Sequence, residues 1–461
     1  MESVQAKRRV LLLFWLLAGL FLVGCGALDA PERPPLPTPV PTARPFDLSQ
    51  LPSGEMVVDP VSDVTPKVDP TTAALLEQVS RQQLIGYVQS LENFGTRNAF
   101  SETESDNWGI GAARRWIFSE FERVGNGRLE VRFDEFPLYF DGRFAPQSNV
   151  VATLRGNGSG GVIILMAHYD SLTYGLTDGQ GRSPAANDNA SGVALLLESA
   201  RLLSAHPWTH TIIFLATSAE EQGAFGARQF AQNAFLEGMN VLAVINYDGV
   251  GGHRGIPQSA RLFAPELYFS PPGQLARYYE YVSGLYLPTF PVVVVNAMDR
   301  PDRFGDQREF INMGMPAIRV MQSEEDPELL NSIRDTWDRI DYDYLQKMVQ
   351  LNVAVAATLA GAPTPPFTPL VEQTDALGMY QVRWPVDENV AGYAISFRPE
   401  EEWAHPAFRF VKTHQAGNVA LTGFDPNANY VVSVAALDAN GRLSYFSPEI
   451  LIGPGALAQT P

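Results

Sequence analysis

The chain has 461 residues, 45% of them hydrophobic and 11% aromatic, which is enough apolar content for two or three cores and too much for a disordered polymer. Its 33 lysines and arginines are outnumbered by 51 aspartates and glutamates, giving a formal charge of −18. That balance repels polyanions and excludes nucleic acid as a partner.

The first segment reads as a targeting signal. Lys7, Arg8 and Arg9 precede an almost unbroken apolar run from Val10 to Val23. The run is shorter than the roughly 20 apolar residues of a spanning helix, and its basic flank is that of an export signal. It ends in Leu22-Val23-Gly24-Cys25, which resembles the lipobox of bacterial lipoproteins. The resemblance implies removal of residues 1–24, a lipid on Cys25, and an extracytoplasmic chain anchored to a bacterial membrane. An ordinary secretory signal with an incidental cysteine is the alternative. Cys25 is the only cysteine, so no intrachain disulfide can form. The tract from Pro31 to Pro45 has the composition of an extended spacer, and Asp47 to Pro70 reads as more linker or a loosely packed arm.

From Thr72 onward the pattern is helical, with Leu75, Leu76, Val79, Leu84, Ile85, Val88 and Leu91 on one stripe. A second helix is predicted over Gly109–Val124, then short strands at Leu129–Phe133 and Ser148–Leu154. The centre alternates. Gly161–Ala167, Thr211–Thr217, Val241–Ile245, Val292–Val295 and Ala317–Met321 read as strands, the first three of them apolar throughout, as strands buried on both faces must be. Helices are predicted over Asn189–Ser204, Ala224–Leu236 and Tyr344–Leu359. The expected fold is α/β, a mostly parallel or mixed sheet flanked by helices on both faces, spanning residues 71–361.

A Pro-rich linker, 362–368, precedes a segment of different character, 369–455. Tyr380, Val382 and Trp384 alternate, as do Tyr393, Ile395 and Phe397, then Tyr430, Val432 and Val434, with turn signals at Asp425-Pro426-Asn427 and Asn440-Gly441. This small all-β segment resembles a fibronectin type III sandwich, with Trp384 as core tryptophan and Tyr430 as the tyrosine-corner residue. The resemblance implies a structural or adhesive module whose partner would be a surface or a polysaccharide.

Residues of metal-ligand type stand just beyond the buried strands. The first strand runs into His168-Tyr169-Asp170. A loop ends in Asn187-Asp188-Asn189 at a helix start. The next strands run into Glu220-Glu221 and into Asp248. Carboxyl ends of strands in an open α/β sheet are where ligands bind, and charges there cost free energy unless paired or bound to a cation. Singly, each has a structural explanation: a core histidine, a helix cap, a solvated helix start, a turn. Their conjunction favours a metal centre.

Together the strings MAHYDS, PAANDNASGVA, TSAEEQG and INYDGVG resemble the co-catalytic zinc aminopeptidases of the aminopeptidase Y type, to which glutaminyl cyclase is related. Gly109-Ile110-Gly111, Asn149-Val150-Val151-Ala152 and Gly314-Met315-Pro316-Ala317 support the match. The resemblance implies two zinc ions and a peptide substrate with a free N-terminus. His168, Asp188 and Asp248 would hold the first ion, with Asp188 bridging to a second on Glu221. Asp170 would orient His168 through its other ring nitrogen, and Glu220 would act as general base and then general acid.

The chain departs from the family at the fifth ligand. A histidine is expected in a pattern like His-Thr/Ser-x-x-Asp-Thr, but Asn331-Ser332-Ile333-Arg334-Asp335-Thr336 places Asn331 there. An amide carbonyl is a poorer zinc donor than imidazole. Three outcomes stay open: one tight ion with a weak second site, a substitute ligand such as His253, or loss of catalysis with the scaffold kept for binding. Retained hydrolysis is favoured over a binding protein, and cyclisation of N-terminal glutamine ranks third. His206 and His210 read as surface residues, and Gln307 as a candidate lining of the specificity pocket.

Overall fold

The computed structural model describes residues 51, 55–158 and 160–454. The expected export signal, Cys25 and the Pro-rich tract lie outside the described residues. In chain order the first elements are β1 (Val57–Val58), α1 (Pro70–Glu77), α2 (Arg81–Glu92), α3 (Gly109–Gly125), β2 (Leu129–Phe140), β3 (Arg143–Leu154) and β4 (Val162–His168). The chain continues with α4 (Ser191–Leu203), β5 (Thr211–Thr217), α5 (Phe225–Leu236), β6 (Val241–Tyr247), β7 (Ala260–Phe263) and α6 (Pro271–Tyr286). Next come β8 (Val292–Val295), α7 (Gln307–Ile311), β9 (Ala317–Gln322) and α8 (Tyr342–Gly361).

Eight of these strands form one mixed sheet, ordered β2-β3-β5-β4-β6-β9-β7-β8. Its centre, β5-β4-β6-β9, is parallel throughout. Side chains alternate across a strand, so β4 feeds two cores. Ile163, Leu165 and Ala167 join Val193, Leu196 and Leu197 of α4, while Ile164 and Met166 join Ala227 and Phe230 of α5 and Phe310 of α7. Helices therefore cover both faces, as the apolar runs require. Because β4 and β5 pair in register from Val162↔Thr211 to His168↔Thr217, the residues that follow them emerge at one edge.

Several elements differ from the sequence expectation. The helical stripe from Thr72 to Leu91 is two helices, because Asp69 and Ser80 each cap one: Asp69 accepts from the Thr72 N–H at 2.8 Å and Ser80 from the Gln83 N–H at 3.3 Å. Strands β2 and β3 are longer than predicted and form one hairpin with twelve facing pairs. Its turn, Asp141-Gly142, has φ of 47° and 69°, the left-handed pair that a two-residue hairpin turn demands. Only Val150–Leu154 of β3 reach β5, so the distal half of the hairpin projects past the edge carrying His168.

The C-terminal part is two facing four-stranded sheets. One is β1-β14-β11-β10, built with β10 (Leu370–Gln373), β11 (Tyr380–Arg383) and β14 (Asn418–Leu421). The other is β13-β12-β15-β16, from β12 (Gly392–Pro399), β13 (Arg409–Lys412), β15 (Tyr430–Leu437) and β16 (Ile450–Ile452). Trp384 is fully buried between them, and the Tyr430 hydroxyl accepts the Asp425 N–H at 3.0 Å.

The expected loose arm is instead built into this sandwich. Val57-Val58 pair in parallel with Val419-Ala420, Lys67 N–H donates to the Gly441 carbonyl, and Asp69 pairs with Arg442 at 3.0 Å. Helix α6, also unpredicted, is the seat of the sandwich. Its Tyr278, Arg277 and Gln274 do not read as an apolar stripe, but Tyr278 donates to the Leu443 carbonyl, Gln274 to the Ser447 carbonyl, and Arg277 pairs with Glu449 at 2.5 Å. Among the described residues no helix is long and apolar enough to cross a membrane.

Candidate metal centre

His168 ends β4, Asp188 lies in the loop entering α4, and Asp248 follows β6. One ligand atom from each lies within 4.8 Å of the others. His168 Nε2 stands 3.2 Å from Asp188 Oδ1 and 3.6 Å from Asp248 Oδ1, yet makes no aligned hydrogen bond. A buried ring nitrogen left without a partner is costly, and facing two carboxylate oxygens it is placed for a shared cation. Burial alone would lower the His168 pKa, but Asp170, Asp188 and Asp248 outweigh it and raise it well above the ordinary imidazole value. The site is built to hold positive charge.

Asp170 organises the back of the centre. Its carboxylate accepts the backbone N–H groups of Glu220 and Glu221, both at 3.1 Å, and its Oδ1 lies 3.6 Å from His168 Nδ1. The same Nδ1 is 3.2 Å from the Asp170 carbonyl, so two oxygens compete for that ring N–H. One side chain thus ties the end of β4 to the loop after β5. Glu220 and Glu221 have pKa values well above the usual carboxylate range, first because burial strips their hydration and then because neighbouring carboxylates repel the charge. Glu221 Oε1 is buried without a partner, but Glu221 falls outside the three-residue cluster.

Asn331 lies in a turn with φ of 47°, its Oδ1 buried and unpartnered. Four residues on, the Asp335 carboxylate accepts the N–H groups of Asn187 at 2.9 Å and Asp188 at 3.0 Å. Burial raises the Asp335 pKa to about 7 against those two bonds. The segment carrying Asn331 is therefore locked against the loop carrying Asp188. His253 lines a cavity with Asp188 and Asp248, and its Nε2 is also unpartnered, but it does not come within the cluster.

Two readings need correction. His210 is buried, not a surface residue: its Nδ1 accepts the Gly161 N–H at 3.1 Å, and loss of hydration lowers its pKa. Gln307 is fully buried and does not line the cavity; it accepts from Asn246 and donates to the Met298 carbonyl, both at 3.0 Å.

Residues with no motif complete the site. Arg97 is fully buried and donates to the carbonyls of Leu91, Tyr169, Pro184 and Ala185, joining three segments behind Asp170 and Asp188. Asn189 donates to the Tyr247 carbonyl at 2.8 Å and accepts the Gly249 N–H at 3.2 Å, binding the Asp188 loop to the end of β6. Asp306 accepts the Thr217 hydroxyl, and burial raises its pKa to about 7. Arg319, in the apolar strand β9, pairs with Asp248 at 3.0 Å and with Asp299 at 2.5 Å. An arginine inside such a strand demands an acidic partner, a signal the sequence does carry.

Residues 149–356 match peptidase family M28. A probable zinc metalloprotease of Pyricularia oryzae is 30% identical over 92% of this chain and 94% of its own. Another, of Leptosphaeria maculans, is 30% identical over 73% and 87%. Among solved structures, an aminopeptidase of Legionella pneumophila superposes with a TM-score of 0.54 at 21% identity, covering 65% of this chain and 78% of that one. An aminopeptidase from Aneurinibacillus sp. strain AM-1 gives 0.52 at 14% identity, covering 65% and 98%. These two likenesses are likenesses of fold.

Proposed function

The chain belongs to peptidase family M28, and from that premise we propose that it is a zinc-dependent aminopeptidase releasing N-terminal residues from peptides outside the cytoplasm. The observation that carries this reading is the convergence of His168, Asp188 and Asp248 at one sheet edge, beside the loop that Asp170 holds with Glu220 at its tip. Imidazole nitrogen and carboxylate oxygen suit zinc, and the unpartnered Nε2 of His168, facing Asp188 Oδ1 and Asp248 Oδ1, fits a cation among the three. A bound zinc ion supplies Lewis acidity, lowering the pKa of water and polarising a scissile carbonyl.

The chain's own residues do the rest. The Asp170 carbonyl, with its carboxylate close by, accepts a hydrogen bond from His168 Nδ1–H and so leaves the Nε2 lone pair for a cation. Glu220 takes the proton of the attacking water and returns it to the leaving peptide nitrogen. A second ion would rest on Asp188, Glu221 and the neutral carbonyl oxygen of Asn331, a weaker set than one with imidazole, so we propose one tight and one weak site.

The basic run Lys7–Arg9, the apolar stretch after it and Cys25 support export and a lipid anchor at a bacterial membrane. Strand order, Trp384 and the Tyr430 corner support a fibronectin type III-like sandwich. Its seat on α6 favours a structural role; a surface or polysaccharide partner would have the open groove lined by Val386, Glu388, Lys412 and His414.

The test is release of the first residue from unblocked peptides. Chelator and Glu220→Gln should each abolish it, with zinc content unchanged in Glu220→Gln. No turnover on a broad peptide panel in zinc-replete buffer would overturn the assignment, and peptide binding indifferent to Glu220→Gln would point to a binding protein.

A further inference from the structure

Asp248 offers its two oxygens to different partners. Oδ1 faces His168 Nε2 across the proposed ion position, and Oδ2 is held by Arg319 Nη2 at 3.0 Å. Arg319 is itself buried and anchored. Its other nitrogen, Nη1, is 2.5 Å from Asp299 Oδ2, and its side chain is 1% exposed. Asp299 is fixed from the far side by Arg300 at 3.1 Å, and Arg300 in turn pairs with Glu325. The chain of alternating charge Asp248–Arg319–Asp299–Arg300–Glu325 thus runs from the metal centre along the wall of the neighbouring cavity, which Arg300, Arg319 and Glu325 line.

A carboxylate free to rotate can offer either oxygen or both to a cation. The planar guanidinium fork removes that freedom, because its two nitrogens are fixed relative to each other and each is claimed by a different acid. We propose that Arg319 is a positioning residue: anchored on Asp299, it holds Asp248 by Oδ2 so that Oδ1 alone is presented to the ion. This rests on the metallopeptidase reading.

The experiment uses the full chain and zinc alone as probe, with the zinc dissociation constant read by competition against a chromophoric chelator and the melting temperature read beside it. Arg319→Gln should weaken zinc binding by about 10–100-fold, the usual effect of losing a partner that orients a ligand. Arg319→Lys restores charge without the fork, so it should recover the melting temperature and not the affinity. Wild-type affinity in Arg319→Gln, or tighter binding, would reduce Arg319 to a counter-charge and overturn the proposal. If Arg319→Gln does not fold, Asp299→Asn tests the same anchor with the cation kept; weaker zinc binding supports the positioning role and unchanged binding overturns it. A wild-type chain that binds no zinc sinks the metallopeptidase reading itself, whereas equal binding by wild type and variant sinks only the role of Arg319.

Discussion

Asp170→Asn isolates the joint between the end of β4 and the loop after β5, on which the proposed mechanism relies. The wild-type carboxylate accepts two backbone N–H groups, from Glu220 and Glu221, each at 3.1 Å. Hydrogen bonds to a charged group contribute about 1.5–3 kcal/mol each. An asparagine keeps one oxygen for one of those N–H groups and turns its amide nitrogen toward the other, so one bond is lost and two donors face each other. The loss should be about 3 kcal/mol, and at about 2–4 °C per kcal/mol the melting temperature should fall by roughly 6–12 °C. The effect on zinc should be milder. His168 Nδ1 keeps the Asp170 backbone carbonyl at 3.2 Å, so the ring tautomer survives and affinity should drop by about tenfold, the low end for such partners. Hydrolysis of an aminoacyl reporter should fall further than zinc affinity, because the loop carrying Glu220 loses one of its two tethers as well. Thermal melts of the metal-free protein, chelator competition and reporter kinetics read the three effects separately. A variant that melts with wild type and keeps its kcat would show that the two N–H bonds neither stabilise the loop nor place Glu220.

Arg277→Ala leaves Glu449, whose side chain is only 6% exposed, buried beside Arg398 alone at 3.5 Å. Stability in urea should drop by about 3–5 kcal/mol, and a loss confined to the sandwich, with the peptidase part unaffected, would contradict the shared seat on α6. In the metal-free protein the raised His168 pKa adds stability that is full below the unfolded value of about 6.5 and is lost as pH rises through the higher folded value. Zinc must displace that proton, so its affinity should climb with pH over the same window; calorimetric titration giving a flat affinity would refute the linkage. Asn331→His should raise retained zinc from one ion per chain to two after dialysis, and elemental analysis showing one in both proteins would place residue 331 outside the centre.

The sequence was most legible where burial dictated composition. Strands β4, β5 and β6 are apolar because both faces are covered, and strands β5 and β8 begin and end where the pattern placed them. The ligand-bearing loops followed from those strand ends, and His168, Asp188 and Asp248 do meet. What was not legible depends on partners distant in the chain. Helix α6 is buried by a sandwich some 170 residues later, so its tyrosines and Arg277 gave no stripe to read. The arm before Pro70 has no periodicity of its own because its strand of two residues borrows order from Val419-Ala420. His210 looked exposed because its partners are the Gly161 N–H and the Pro363 carbonyl, backbone groups that no side-chain pattern announces. Arg97 has the same character, its guanidinium donating to four backbone carbonyls.

The buried arginines Arg97 and Arg319 bear on what a metal would do for the fold. Asp170, Asp188, Glu220, Glu221 and Asp248 are crowded at one edge, a concentration of acidic groups that a chain folding without its ion must tolerate. Arg319 meets Asp248 directly. Arg97 is surrounded by carbonyl dipoles yet lies within electrostatic reach of Asp335, Asp170 and Asp188, which oppose the lowering of its pKa to about 10 by burial. With one fixed cation on each side, the acidic cluster has partial compensation before any zinc arrives. The loops are meanwhile stitched by neutral bonds, Asn189 to the Tyr247 carbonyl and Asn187 to Gln322, that no ion mediates. Small domains whose structure depends on zinc unfold without metal. Here His168 and Asp248 stand at the ends of strands whose stability comes from two apolar cores, and the Asp188 loop is bonded to them, so a metal on these residues would contribute chemistry to a frame already formed.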